Sequence, residues 1–93
     1  MVLRTVHVRI EGRVQGVGYR AWAAATARDL ALSGWVRNRH DGAVEAVLQG
    51  EAGAVADMLG RCRIGPRDAV VSRVEIIGEG GGAYDTFEVR ATA

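Results

Sequence analysis

The sequence predicts an α+β sandwich: an antiparallel sheet with two helices packed on one face and a short extra strand at the C-terminal end. Three observations predict it. Stretches alternating every second residue exchange with stretches whose apolar residues recur every three to four, in the order β-α-β-β-α-β plus the short last strand. An Asp41-Gly42 pair between the second and third strands turns the chain straight back, which excludes an all-parallel sheet. The 93 residues, read as a single domain over 1–93, supply one modest core.

In "RTVHVRIEG", Val6, Val8 and Ile10 alternate with Thr5, His7, Arg9 and Glu11, the pattern of a strand with one buried and one wet face. A glycine-rich turn follows. "YRAWAAATARDLALSG" then sets Tyr19, Ala23, Thr26, Ala27 and Leu30 on one helical stripe, with Gly34 where a left-handed C-terminal cap is expected. "WVRN" and "AVEAVLQG" are strands joined by "RHDG". "EAGAVADMLGRCRIG" places Val55, Met58, Leu59 and Cys62 at helical spacing, and Gly65-Pro66 ends that helix. "AVVSRVEIIG" and "TFEVRA" are the closing strands, separated by the loop "GEGGGAYD", and the pattern leaves the last one unplaced in the sheet. This order, with both helices on one face and the other face solvated, is the ferredoxin-like sandwich.

Composition removes several classes of function. The net charge of +1 gives no global field for nucleic acid or membrane binding. All twelve basic residues are arginine, which rules out lysine chemistry and dilutes the meaning of any single arginine. The lone Cys62 has no disulfide partner and no zinc set to join. The N-terminal stretch alternates polar and apolar residues, unlike a signal peptide or a membrane span, so the expected location is cytoplasmic.

The turn "GRVQGVGYRAW" places glycines at 12, 16 and 18 between a strand and a helix, with Arg20 just inside the helix. Gly16-Val17-Gly18-Tyr19-Arg20-Ala21 spells the G-x-G-x-x-A dinucleotide fingerprint, but the context fails, because that fingerprint needs a parallel β-α-β unit. The backbone physics survives the loss of that label. Glycines at positive φ let successive N–H groups point into one concavity, and the helix N-terminus adds partial positive charge. Arg20 is poorly placed against the helix dipole unless a bound anion compensates it. Two readings stay open at this point: an anion cradle, or a tight β-α connection beside a solvated arginine.

"GRVQGVGYR", followed at the usual separation by "GWVRNRHDGAVEAVLQG" and by the Gly-Pro pair before the fourth strand, resembles the acylphosphatase family over about Val6 to Arg90. The resemblance implies hydrolysis of carboxyl–phosphate mixed anhydrides on a ferredoxin-like fold, with no metal, cofactor or covalent intermediate. It implies that the backbone N–H groups of Gln15, Gly16, Val17, Gly18 and Tyr19, with the Arg20 guanidinium, bind the phosphoryl oxygens. It implies that Asn38 positions the attacking water and that a phosphate oxygen accepts the proton, an amide being a poor base. The expected partners are a small acyl phosphate and inorganic phosphate, as product and inhibitor; the chain reads as a monomer without nucleic-acid or membrane partner. Two departures from the family pattern are Tyr19, where phenylalanine is usual, and His40, where proline or another residue is common.

Without that resemblance, Asn38 reads as a strand-end asparagine supporting the turn. His7 and His40 read as surface residues, Cys62 as core, and Glu45, Glu75 and Glu88 as outward positions on a solvated sheet face. Trp22 and Trp35 fit packing or rim positions equally. The competing functional class is a non-catalytic ferredoxin-like module that binds phosphate, another ligand or RNA. An RNA-binding sheet needs exposed aromatics, and the outward positions His7, Arg9, Glu11, Glu45 and Gln49 offer no such platform.

Overall fold

Valine and isoleucine at alternate positions build β1 (Leu3–Arg13), and the computed structural model, which describes residues 2–93, continues with α1 (Tyr19–Asp29), β2 (Ser33–Asn38), β3 (Val44–Glu51), α2 (Ala52–Cys62), β4 (Val70–Glu79) and β5 (Phe87–Val89). The strands form one sheet in the order β4-β1-β3-β2-β5. β1 lies antiparallel between β3 and β4, and β2 is antiparallel to β3. The short last strand, which the sequence pattern leaves unplaced, runs parallel to β2, pairing Phe87 with Gly34 and Val89 with Val36, so the sheet is mixed. It is an add-on at the sheet edge, reached through the glycine-rich loop, and the ferredoxin-like layering is unchanged.

Both helices lie on one face, α1 over β2 and β5 and α2 over β1, β3 and β4. The core between them is the set the periodicity picks out. Val6, Val8, Ile10, Val36, Val44 and Leu48 from the sheet meet Tyr19, Ala23 and Ala27 from α1 and Val55, Met58 and Cys62 from α2. Trp22 packs against this cluster with its ring edge on Tyr19, the centroids 5.2 Å apart. Glu51 caps α2, its carboxylate accepting from the Ala54 N–H at 3.0 Å.

Two local expectations are corrected. Gly34 is not the cap of α1; it lies in β2 at φ 131°, where a Cβ would also meet the Val47 carbonyl oxygen at 2.0 Å, so backbone conformation and close strand contact together demand glycine there. The left-handed cap position is taken by Ala31 at φ 56°. Leu32 N–H donates to the Ala27 carbonyl at 2.8 Å and Ala31 N–H to that of Arg28 at 3.0 Å, the paired bonds of a Schellman cap.

The second correction concerns the open sheet face. Glu45 does point away from the helices, but it is only 8% exposed. Its carboxylate receives Arg37 Nε at 2.7 Å and the His7 ring at 2.5 Å, with Arg39 at 3.5 Å. His7 is therefore half-buried rather than a free surface residue. Trp35, 7% exposed, lies on the same face beneath the guanidinium groups of Arg37 and Arg90, at 4.7 and 4.9 Å from its ring centre. A lid of arginines over a buried acid and an aromatic ring replaces the simple wet face.

Candidate active site

The turn between β1 and α1 owes its shape to two glycines, Gly16 at φ 73° and Gly18 at φ 79°. A Cβ at either would meet nothing within 4 Å, so conformation rather than space selects glycine. Gly18 is the N-cap of α1. It offers no side-chain cap, and the first turn of α1 has no acidic residue. The helix's first hydrogen bond runs from Trp22 N–H to the Gly18 carbonyl at 3.0 Å, leaving earlier N–H groups without helical partners. These are the conditions that favour an anion at a helix N-terminus.

Beside this turn lies a cleft of about 290 Å³. Val14, Gln15, Gly16, Gly18, Tyr19, Arg20 and Ala21 line it from the turn and helix start, and Asn38 and Val89 from β2 and β5. Arg20 is half-buried and makes no ion pair or hydrogen bond among the described residues, a state it shares with Arg13, Arg63 and Arg67, but of these four it alone lines the cleft. Asn38 occupies the last position of β2, opposite Val44. Its Oδ1 is buried without a hydrogen-bond partner among the described residues. Such groups are scarce because each costs about 1–3 kcal/mol of desolvation.

The Asn38 backbone is held firmly. Its carbonyl accepts from Ala93 N–H at 3.0 Å, and the neighbouring His40 N–H donates to the Ala93 carbonyl at 3.1 Å. The His40 side chain itself is exposed in the hairpin turn and does not line the cleft.

Tyr19 contributes backbone to the cleft but not its hydroxyl. The side chain is buried, and its OH donates to the Cys62 carbonyl at 2.8 Å, fixing the start of α1 to the end of α2. Burial pushes the phenol far above its ordinary range, and it pushes the Cys62 thiol up to about 11 despite the Tyr19 hydrogen bond. Both groups stay neutral structural members. Val17 packs its side chain against the core and does not line the cleft. Among the described residues, no group of three or more His, Cys, Asp or Glu side chains is placed to hold a metal ion.

The acylphosphatase family profile matches residues 6–89. The chain belongs to the acylphosphatase family. An acylphosphatase of Azorhizobium caulinodans is 54% identical over 89 residues, covering 95% of this chain and 96% of the relative. An acylphosphatase structure from Coxiella burnetii superposes with a TM-score of 0.90 at 36% identity, over 95% of this chain and 93% of the other. That of Bacillus subtilis gives 0.87 at 28% identity, over 96% and 99%. Acylphosphatases are hydrolases of acyl phosphates, and the chain is an enzyme of that class.

The cleft brings the turn and the adjoining Arg20 together with Asn38, which is distant in sequence. It leaves His7 and Cys62 outside. Three contributions had no signal in the sequence: Val89, which lines the cleft from β5; the C-terminal backbone beside Asn38; and the Gln15 side chain. The Gln15 Nε2 group donates to the carbonyls of Arg39 at 2.7 Å and Ala43 at 2.9 Å, across the neck of the β2–β3 hairpin. The side chain is turned to the hairpin and away from the cleft's open space.

Proposed function

We propose that the enzyme holds the phosphoryl group of an acyl phosphate on the backbone N–H groups of Gln15–Tyr19 and the Arg20 guanidinium, while Asn38 carries the attacking water. The observation that supports this reading best is the buried, unpartnered Asn38 Oδ1 in the same cleft as the uncapped start of α1 and the unpaired Arg20. An amide oxygen in that state accepts a hydrogen bond from water without displacing any protein contact. The water oxygen attacks phosphorus, the carboxylate leaves with the bonding electron pair, and a phosphate oxygen takes the water's proton. The loose transition state spreads charge over the equatorial oxygens, so fixed donors supply most of the catalysis. A guanidinium grips two of those oxygens at once and stays charged throughout.

No metal, cofactor or covalent intermediate enters this scheme. Residues 1–93 act as one domain, a cytoplasmic monomer whose ligands are the small acyl phosphate and inorganic phosphate, without nucleic acid or membrane. The test is hydrolysis of benzoyl phosphate with and without excess EDTA, for the wild type and Arg20→Lys. The expected results are unchanged wild-type turnover in EDTA, competitive inhibition by inorganic phosphate, and a crippled Arg20→Lys enzyme, because lysine keeps the charge and loses the fork. Loss of activity in EDTA restored only by a divalent cation overturns the metal-free scheme. Near wild-type turnover by Arg20→Lys overturns the bidentate grip.

A further inference from the structure

We infer that the Gln15 side chain is a positioning residue, acting through the β2–β3 hairpin to hold Asn38 at a fixed distance from the phosphate-holding turn. The inference rests on the proposed roles of that turn and of Asn38. Its geometric basis is one side-chain amide bound to two backbone carbonyls on opposite sides of a hairpin. Arg39 directly follows Asn38, and Ala43 directly precedes Val44, the residue paired with Asn38 across the strands. Gln15 Nε2 therefore bridges the hairpin at the step just beyond the Asn38–Val44 rung. The same step is closed by Arg39 N–H donating to the Ala43 carbonyl at 2.8 Å.

The two halves of the site come from different parts of the chain. The turn belongs to β1 and α1, and Asn38 is the last residue of β2. β1 does not touch β2 in the sheet, because β3 lies between them. The sheet therefore transmits position from turn to Asn38 only through an intervening strand, and the Gln15 amide is a direct tie. Both of its side-chain N–H donors are used, so its orientation is fully specified. A residue whose backbone belongs to the cradle and whose side chain grips the strand carrying the water-holding amide joins the two reacting components.

This role makes different predictions from a purely structural one. Gln15→Met keeps the length and removes both donors. Displacing the water-holding group relative to phosphorus by a fraction of an ångström to an ångström lowers kcat by roughly 10–100-fold. The cradle N–H groups remain, so the inhibition constant for inorganic phosphate stays within about 3-fold of wild type, taking phosphate contacts as independent of water placement. Gln15→Glu is worse than Gln15→Met at neutral pH, since it points a carboxylate at two carbonyl oxygens. The decisive measurement is a double-mutant cycle with Asn38→Ala, each kcat taken per folded molecule.

If Gln15 works through Asn38, Gln15→Met costs less than about 3-fold once Asn38 is already alanine, because residues acting as a unit are non-additive. A loss as large in the Asn38→Ala background as in the wild type overturns the inference, as does wild-type kcat in Gln15→Met. A rise in the phosphate constant that matches the fall in kcat also overturns it, since Gln15 would then shape the cradle alone. Should Gln15→Met not fold, Gln15→Asn runs the same cycle, its amide one methylene short of the carbonyls. Wild-type kcat in the single Asn38→Ala enzyme is a separate failure: it removes the water-holding role on which the inference rests.

Discussion

Replacing Asn38 with alanine separates stability from activity in a way the structure sets in advance. The Asn38 Oδ1 has no partner among the described residues, so removing it breaks no hydrogen bond within the protein. Alanine removes that atom and gives up a small amount of packing, on the order of the ~0.8 kcal/mol of one buried methylene. The strand bond from Ala93 N–H to the Asn38 carbonyl is a backbone bond and survives the change. The change is therefore expected to cost the fold no more than about 1 kcal/mol. At roughly 4–8 °C per kcal/mol for a chain of this size, the melting temperature stays within several degrees of wild type. Turnover falls far more steeply. Loss of one preorganised polar group at the reacting centre costs about 10²–10³-fold in kcat. Under the proposed roles of the turn and Arg20, inorganic phosphate is expected to bind nearly unchanged. Melting temperature, phosphate inhibition and benzoyl phosphate turnover are measured on one preparation. A lowered melting temperature with turnover per folded molecule preserved refutes the reasoning, since Asn38 would then be a structural residue of the turn.

Other expectations concern the scaffold. Ala31→Gly relieves a left-handed residue that costs an L side chain about 1–2 kcal/mol, less the ~0.4–1 kcal/mol by which glycine loosens the unfolded chain. A rise in denaturation midpoint without change in kcat is expected, and a fall shows that the Ala31 methyl packs usefully. Burial pushes the Glu45 carboxyl up, but the bonds from Arg37 and His7 outweigh it and hold the group below its ordinary value of 4.5. A depressed folded value contributes stability that is present above pH 4.5 and is lost as pH falls through that depressed value. Glu45→Gln therefore lowers stability at pH 7, by about 1–3 kcal/mol for lost hydrogen bonds to a charge, and flattens the acid limb of the stability–pH curve. An unchanged acid limb assigns that dependence to other carboxylates.

The parts of the fold legible in the sequence are those encoded by repetition. Val6, Val8 and Ile10 state a strand three times over, and Val55, Met58 and Cys62 state a helix face. β5 has only three residues, too few to encode direction, and its parallel pairing follows from where the loop before it delivers the chain. Gly34 illustrates a different limit. A glycine after a helix fits both a cap and a close strand contact, and the choice lies with the Val47 carbonyl, thirteen residues further along. Glu45 was readable as outward, because strand alternation gives side-chain direction. Its burial was not, because that depends on His7, Arg37 and Arg39 converging from β1 and from the end of β2 and the turn beyond it.

The candidate site divides along the same line. Gly16 and Gly18 mark backbone geometry, and backbone geometry has a residue-type signature that the sequence displays directly. Arg20 stands out in the sequence by its poor placement against the helix dipole, whereas Asn38 stands out only through the family resemblance, because what marks it in the structure is an oxygen without a protein partner. No periodicity or spacing encodes a missing contact. Gln15 is the converse case: its amide reaches residues 24 and 28 positions away, and its meaning depends on a hairpin closing before those two carbonyls face it. The polar groups at this cleft thus sort by their bonding state. Gln15 has used both of its donors to set geometry, while the Asn38 Oδ1 acceptor and the Arg20 guanidinium donors have no partner among the described residues. That division is what a preorganised site requires, since a group already satisfied by protein cannot stabilise a reacting atom, and a group left open needs satisfied neighbours to hold it in place.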